Sequence, residues 1–399
     1  MSDSLLRFRD LPRPDYNGGS ILNLMSSLIR SRGGRCHHRT LRGLPPSVLR
    51  RHKKVIVLLL DGLGANQLHL FLRSSPPLAF FNRHPWQIMT TVSPATTASV
   101  VTTVATGASP AEHAVLGWHL HLPDLGMDGT ILPFSTRTGT PIAPADFDLE
   151  RYLALPTPLA TTQGKRVLIS QAPLPSSRTS MAQSWWHERH AYQDLEGLLR
   201  RLKTFARKSV RNPAFAYAYW PFYDTLCHEC GPDGQPAHRH LVDLDAFLAR
   251  AEKALHGTDT LLLVTADHGH MRTENTIDLS AIPGFYDCLA SLPSGDARMT
   301  QCFVRPAQRH AFLQLTRQPP LAGNSVCVAH SAILRSGLLG PGTLHPALRA
   351  RLGDEVLFAA PGCSFQYPRA QAQNQKPLRG THGGLSEDEL RVPLFVIRP

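Results

Sequence analysis

Runs dense in apolar and β-branched residues alternate along the chain with longer stretches whose apolar positions recur at helical spacing. Lys54–Leu60 (KVIVLLL) is the first such run and ends in Asp61-Gly62; Arg166–Ser170, Ala214–Tyr219, Thr260–Thr265 and Pro393–Ile397 repeat its character. A strand that is apolar on both sides is covered on both faces, as in a parallel sheet between helical layers. Leu195–Lys208 and His240–Leu255 carry the helical spacing over enough length to cover such a sheet. The alternation predicts an α/β fold whose mainly parallel sheet is flanked by helices.

Two stretches depart from this rhythm. From His119 to about Ser184 the chain is rich in Pro, Gly and Thr, which predicts long loops over one edge of the sheet. Asn275–Tyr367 is mixed: MTQCFVRP and EVLFAA read as strands and AQRHAFLQL as a helix, after which sheet-like sequence returns. The expected organisation is a core of residues 1–274 plus 368–399 with an inserted α+β cap, 275–367. Within the core, Thr90–Gly107 has Pro94 ahead of small and β-branched residues and closes on Gly107. That is the pattern of a short buried helix with a glycine stop.

Composition narrows the classes of function. With 399 residues, 42% hydrophobic and 18% charged, the chain can bury a full core and is not disordered by composition. Lys plus Arg (42) exceed Asp plus Glu (30), a net charge of +12 that suits anionic partners. Yet 35 of the basic residues are arginines spread along the chain, and the densest stretch, Arg50–Lys54, is too short for a nucleic-acid-binding tail. The excess reads as solvated surface that also attracts phosphates, and no nucleic-acid partner is expected. No run approaches the roughly 18 apolar residues of a membrane span, so no membrane partner is expected either. The amino-terminal MSDSLLRFRD mixes charges of both signs, unlike a secretory signal. Seven dispersed cysteines, an odd number, do not read as a disulfide framework, and a reducing cytoplasm is the expected compartment.

Open α/β sheets bind ligands beyond the carboxyl ends of their strands. Asp61 follows VIVLLL there, Asp267-His268 follow LLLVTA, and Asp224 follows AYAYWPFY after a short turn. His228, four residues beyond Asp224, shares its side of a helical turn, and His382 sits in the glycine-rich loop RGTHGGLSEDE before the last strand. Singly, each reads as a turn aspartate or a structural histidine. Together, three Asp and three His at strand ends and loops are the donor set of two zinc-type ions. A hydroxyl at the start of the Thr-rich helix would meet free amides and the positive dipole end, which favour a phosphate. Other features carry less: Cys227-His228-Glu229-Cys230 lacks a second CxxC pair, Trp185-Trp186 reads as buried packing, and His37-His38 as surface.

These residues resemble a known family, the alkaline phosphatase superfamily and in particular its nucleotide pyrophosphatase/phosphodiesterase branch. Thr106 to Ala114 matches TGxxPxxHG with Ala114 in place of the last Gly, and Thr97 lies at the nucleophile's spacing, ten before Gly107. Asp224, His228, Gly231 and Pro232 match DxxxHxxGP, Asp267-His268-Gly269 the strand-plus-DHG, and Thr381–Gly384 the THGG loop, all in family order. The resemblance implies an alkaline-phosphatase-like core and two divalent ions, expected to be zinc. One would be held by Asp224, His228 and His382, the other by Asp61, Asp267 and His268, with Thr97 facing both. It implies hydrolysis of a small phosphorylated substrate, a phosphodiester or nucleotide pyrophosphate, through a covalent phosphothreonine. A phosphomonoesterase and a phosphonoacetate-type phosphonate hydrolase are alternatives, and a non-catalytic anion- or RNA-binding protein is the alternative from another class. Two departures bear on substrate. Ala98 replaces the aromatic that stacks on a nucleobase after the nucleophile, and His113–Trp118 replaces an HGIxNN-like phosphate-binding stretch. The other stacking aromatic is kept as Tyr219.

Overall fold

In the computed structural model, which describes residues 7–74, 78–123, 126–142, 149, 155–367 and 377–399, the first α-helix is α1 (Ile21–Ser31). Lys54–Leu60 follows as strand β1, buried at every position. Next come helix α2 (Ala65–Ser74), strand β2 (Trp86–Thr90), helix α3 (Thr97–Thr106) and the one-turn α4 (Pro110–His113). Three short strands follow, β3 (His119–Leu122), β4 (Met127–Thr130) and β5 (Ser135–Thr136). Then come β6 (Lys165–Gln171), β7 (Glu188–Tyr192), α5 (Leu195–Arg207), β8 (Ala214–Trp220), α6 (Phe222–Cys230), α7 (Gln235–Leu255) and β9 (Thr260–Thr265). A mixed segment holds β10 (Ser294–Asp296), β11 (Met299–Cys302), α8 (Arg309–Leu315), β12 (Ser325–Ala329) and β13 (Glu355–Ala359). Helix α9 (Glu387–Leu390) and strand β14 (Arg391–Ile397) come last.

The main sheet has seven strands in the order β2-β14-β9-β1-β8-β6-β7. Neighbours from β9 to β7 pair in parallel, and β14 runs antiparallel between β9 and β2. Helices α1, α3, α5 and α7 contribute Leu28, Val104, Leu202 and Leu244 to the core cluster around this sheet. The fold is therefore the mostly parallel, helix-flanked α/β architecture that the apolar runs predict.

The second sheet, β12-β13-β11-β10-β3-β4-β5, corrects one expectation. His119 to Ser184 is not all loop: β3 to β5 lie in it, and His119 of β3 pairs with Gly295 of β10. The second sheet thus draws strands from 119–136 as well as from within 275–367, so its strands come from two separate stretches of chain. Gly117 lets the two backbones touch, since a Cβ there would stand 2.5 Å from the Gly295 Cα. Residues 1–6 and 368–376 of the expected core lie outside the described residues.

The two layers are joined through their interiors. A second cluster packs Ala95, Ala98 and Leu390 against Met299, Val356 and Phe358. A buried ion pair crosses the same boundary: Arg298 Nε donates to Glu389 Oε1 at 2.7 Å and Nη2 to Oε2 at 2.9 Å.

Candidate active site

Strand ends place the deepest donors. Asp61 leaves β1 and Asp267-His268 leave β9, adjacent parallel strands, so the three side chains meet at one sheet end. Asp267 Oδ1 accepts the backbone N–H of Gly62 at 3.0 Å and of His268 at 2.9 Å. Asp61 Oδ2 accepts the hydroxyl of Tyr219, which reaches across from β8. The other oxygens, Asp61 Oδ1 and Asp267 Oδ2, are buried with no hydrogen-bond partner among the described residues. His268 Nε2 stands 3.4 Å from the first and 3.5 Å from the second. Thr97, the first residue of α3, puts Oγ1 3.1 Å from the same nitrogen.

Asp224 and His228 lie one turn apart on α6, and His382 comes in from the loop before α9. Asp224 Oδ1 is 3.4 Å from His228 Nε2 and 3.6 Å from His382 Nε2. The imidazoles of His268 and His382 stack at 3.7 Å between centroids, which brings the two clusters against one another, and Thr97 lines one cavity with Asp224, His228 and His382.

Three observations test these clusters as metal sites. First, His268, His228 and His382 each direct Nδ1 at a backbone carbonyl, of Gly269 (3.2 Å), Gly380 (2.7 Å) and Ala95 (3.2 Å). A carbonyl only accepts, so Nδ1 carries the proton and every Nε2 lone pair is bare and aimed inward, the tautomer a metal requires. Second, donors about 2.0–2.1 Å from a tetrahedral ion are about 3.3 Å from each other, and the 3.4–3.6 Å separations suit this better than a hydrogen bond. Third, two orphaned carboxylate oxygens and three converging acids call for a cation. Burial, followed by the carboxylates of Asp267 and Asp224, pushes Asp61 well above the usual carboxylate range, a repulsion a cation would relieve. Burial also holds His382 well below its usual value, helped by His268, so it is neutral and free to ligate. The residues fit two ions.

All seven residues read from the sequence as donors or nucleophile thus converge here. Tyr219 lines the neighbouring cavity, with its hydroxyl committed to Asp61. That cavity, about 420 Å³, runs from Thr97 along Val101, Leu132, Leu168 and Leu174. A second of about 430 Å³ opens on the Asp224 side along Trp118, His119 and Asp296. Ala98 is fully buried in the interlayer cluster. Ala114, where the motif has Gly, keeps the left-handed backbone at φ 51°. Trp186 is buried and Trp185 donates its indole N–H to Ala105, so the pair is packing.

One expectation fails: His38 is not at the surface. It is buried, with Nε2 2.8 Å from Glu112 Oε2, because the buried Glu112 carboxylate caps α4 and needs a second partner; His37 stays exposed. Sequence reasoning also missed His270, whose Nε2 lies 2.7 Å from Asp224 Oδ1. Its signal was its place two residues beyond His268.

The model of the type I phosphodiesterase / nucleotide pyrophosphatase family matches residues 55–385, and the chain belongs to that family, within the alkaline phosphatase superfamily. Murine ectonucleotide pyrophosphatase / phosphodiesterase 5 is similar in fold, with TM-score 0.62 at 15% identity over 86% of this chain and 87% of that one. An inactive form of the murine protein in complex with AMP gives TM-score 0.60 at 15% identity, over 86% and 87% of the chains. Phosphonoacetate hydrolase from Sinorhizobium meliloti 1021, in complex with phosphonoformate, gives TM-score 0.58 at 17% identity over 87% and 90%. No curated protein sequence matches the chain. Among the described residues, no helix is long and apolar enough to cross a membrane.

Proposed function

We propose that the chain is a two-zinc phosphodiesterase of the nucleotide pyrophosphatase type, working through a covalent phosphothreonine at Thr97. The observation that carries this reading is that two donor clusters, with three bare Nε2 atoms and two carboxylate oxygens unpartnered among the described residues, border the cavities lined by Thr97, whose hydroxyl lies 3.1 Å from His268 Nε2. Divalent ions held by Asp61, Asp267 and His268 and by Asp224, His228 and His382 would supply Lewis-acid charge stabilisation and make the hydroxyl easier to ionise. The protein's own part is positional. Thr97 sits at the amino end of α3, where free amides and the helix dipole attract the phosphoryl oxygens. Its Oγ1 forms a bond to phosphorus as the bond to the leaving oxygen breaks, and the leaving group departs with a proton. Water then displaces the threonine from the opposite side, releasing the monoester and restoring the hydroxyl.

The substrate is a small phosphorylated molecule, in keeping with the AMP complex of the murine relative. With Ala98 packed away from the 420 Å³ cavity, a generic diester with an apolar arm suits it, with modest preference among nucleobases. The cavity's apolar wall favours a diester over a small doubly charged phosphonate. Seven free cysteines accord with a reducing compartment such as the cytoplasm.

The test is metal content together with Thr97→Ala. Purified protein is expected to hold about two equivalents of zinc, to lose bis-p-nitrophenyl phosphate hydrolysis in chelator, and to prefer that diester to p-nitrophenyl phosphate and phosphonoacetate. Thr97→Ala is expected to lower kcat by about 10³-fold or more with the fold retained. Full activity without metal, or in Thr97→Ala, overturns the proposal.

A further inference from the structure

His270 is the one histidine of the cluster with its ring reversed. Its side chain is fully buried, its Nε2 faces Asp224 Oδ1 at 2.7 Å, and its Nδ1 is buried without a partner among the described residues. A carboxylate only accepts, so Nε2 carries the hydrogen and donates it. That separation is a hydrogen bond, well short of the 3.4 and 3.6 Å between Asp224 and the nitrogens of His228 and His382. The neighbourhood makes room for it. Gly62 holds φ at +77°, and a Cβ there would stand 2.8 Å from His270 Nε2 and 3.1 Å from the Asp224 Cα. Gln67 of α2 donates to the His270 carbonyl and ties down its backbone.

We propose that His270 is a positioning residue for the Asp224 metal site: it donates to Asp224 and fixes the carboxylate's rotation, and is not itself a ligand. This rests on the two-metal reading above. Hydrogen bonds to a ligating carboxylate orient it toward the ion, and their loss costs about 10- to 100-fold in metal affinity. The Asp61 site, whose carboxylates are held by Tyr219, Gly62 and the His268 amide, is outside its reach.

The experiment follows metal release from the full-length zinc-loaded protein to the chromogenic chelator 4-(2-pyridylazo)resorcinol, in wild type, His270→Leu and His270→Gln. Wild type is expected to hold two equivalents; in His270→Leu one of them binds about 10- to 100-fold more weakly and the other is unchanged. His270→Gln, which keeps an N–H donor, is expected to recover most of that loss. Cobalt-substituted wild type and His270→Gln are expected to share the same d–d absorption, since no ligand has changed. Release from His270→Leu equal to wild type overturns the proposal. So does an equal loss in both variants, or a changed cobalt spectrum in His270→Gln, which makes His270 a ligand. Should His270→Leu not fold, the Gln variant and its cobalt spectrum decide alone. Wild type without metal overturns the two-metal reading instead.

Discussion

The two donor clusters face one hydroxyl from different kinds of scaffold. Asp61, Asp267 and His268 stand at the ends of adjacent core strands, with side-chain exposures of 3%, 0% and 0%. Asp224, His228 and His382 come from a helix and a glycine-rich loop and are 16%, 24% and 9% exposed. Strands buried on both faces open only when the core opens, whereas helix starts and loops draw on the low-stability end of a protein's motions. The Asp61 side therefore behaves as fixed, and the Asp224 side as the half that other parts of the molecule must hold in place. His270 is one such support, and the second layer supplies another.

That second support is the Arg298–Glu389 pair, and breaking it is expected to have the largest effect on stability. Glu389 Oε1 also accepts the Gly384 N–H at 2.7 Å, and Oε2 accepts from Ser386 N at 3.0 Å, so the carboxylate anchors the loop that begins at His382. Burial opposes its ionisation, but the Arg298 guanidinium holds it below the usual carboxylate range. Arg298→Met leaves that charge buried and alone, at a cost of about 3–5 kcal/mol by urea unfolding. The difference between the halves is sharpened if the variant also loses metal from the Asp224 side first. Equal loss from both sides would show that the second layer supports the whole site.

This division also explains what the sequence could show. Lys54–Leu60, Ala214–Trp220 and Thr260–Thr265 are buried along their whole length, so their apolar runs announce them, and with them the sites of Asp61, Asp224 and Asp267-His268. β2 is partly exposed, and β3 to β5 are at most four residues long, so neither alternation nor an apolar run marks them. Arg298 and Glu389 stand 91 positions apart, and no local pattern joins them. His38 likewise reads as surface until Glu112 is seen beneath it, 74 positions on.

A smaller effect concerns the helix that presents Thr97. His113 Nδ1 accepts the Val115 N–H at 3.0 Å, so Nε2 carries the hydrogen and donates to Thr103 of α3 at 3.1 Å. Burial, with His345 and Arg351 adding to it, pushes His113 down to about 3. The folded protein keeps this ring neutral while the unfolded chain protonates it below about 6.5, so its contribution is complete above that pH and falls as pH drops toward 3. Between pH 6.5 and 5 the loss is about 2 kcal/mol, at about 1.4 kcal/mol per unit. His113→Asn keeps an acceptor for Val115 and removes the titration. Urea unfolding at both pH values should show its deficit against wild type shrinking by about that amount. An unchanged deficit would mean that the ring is not held neutral, and that the packing against α3 is less dry than its burial implies.

The smallest expected effect tests the comparison most directly. With both ions bound, excess chelator should strip zinc in two phases, because the ligands reach solvent to different degrees. The faster phase belongs to the Asp224 side, where 24% of the His228 side chain is exposed and the loop carrying His382 turns on Gly383 and Gly384. Rates about tenfold apart correspond to about 1.4 kcal/mol between the opening barriers. Assignment comes from single substitutions: His228→Ala should remove the fast phase and Asp267→Asn the slow one. A single phase would mean that the stacked rings of His268 and His382, 3.7 Å apart, couple the halves into one opening unit. Reversed assignments would place the mobile half at the strand ends, and would break the link drawn here between burial on a core strand and retention of the ion.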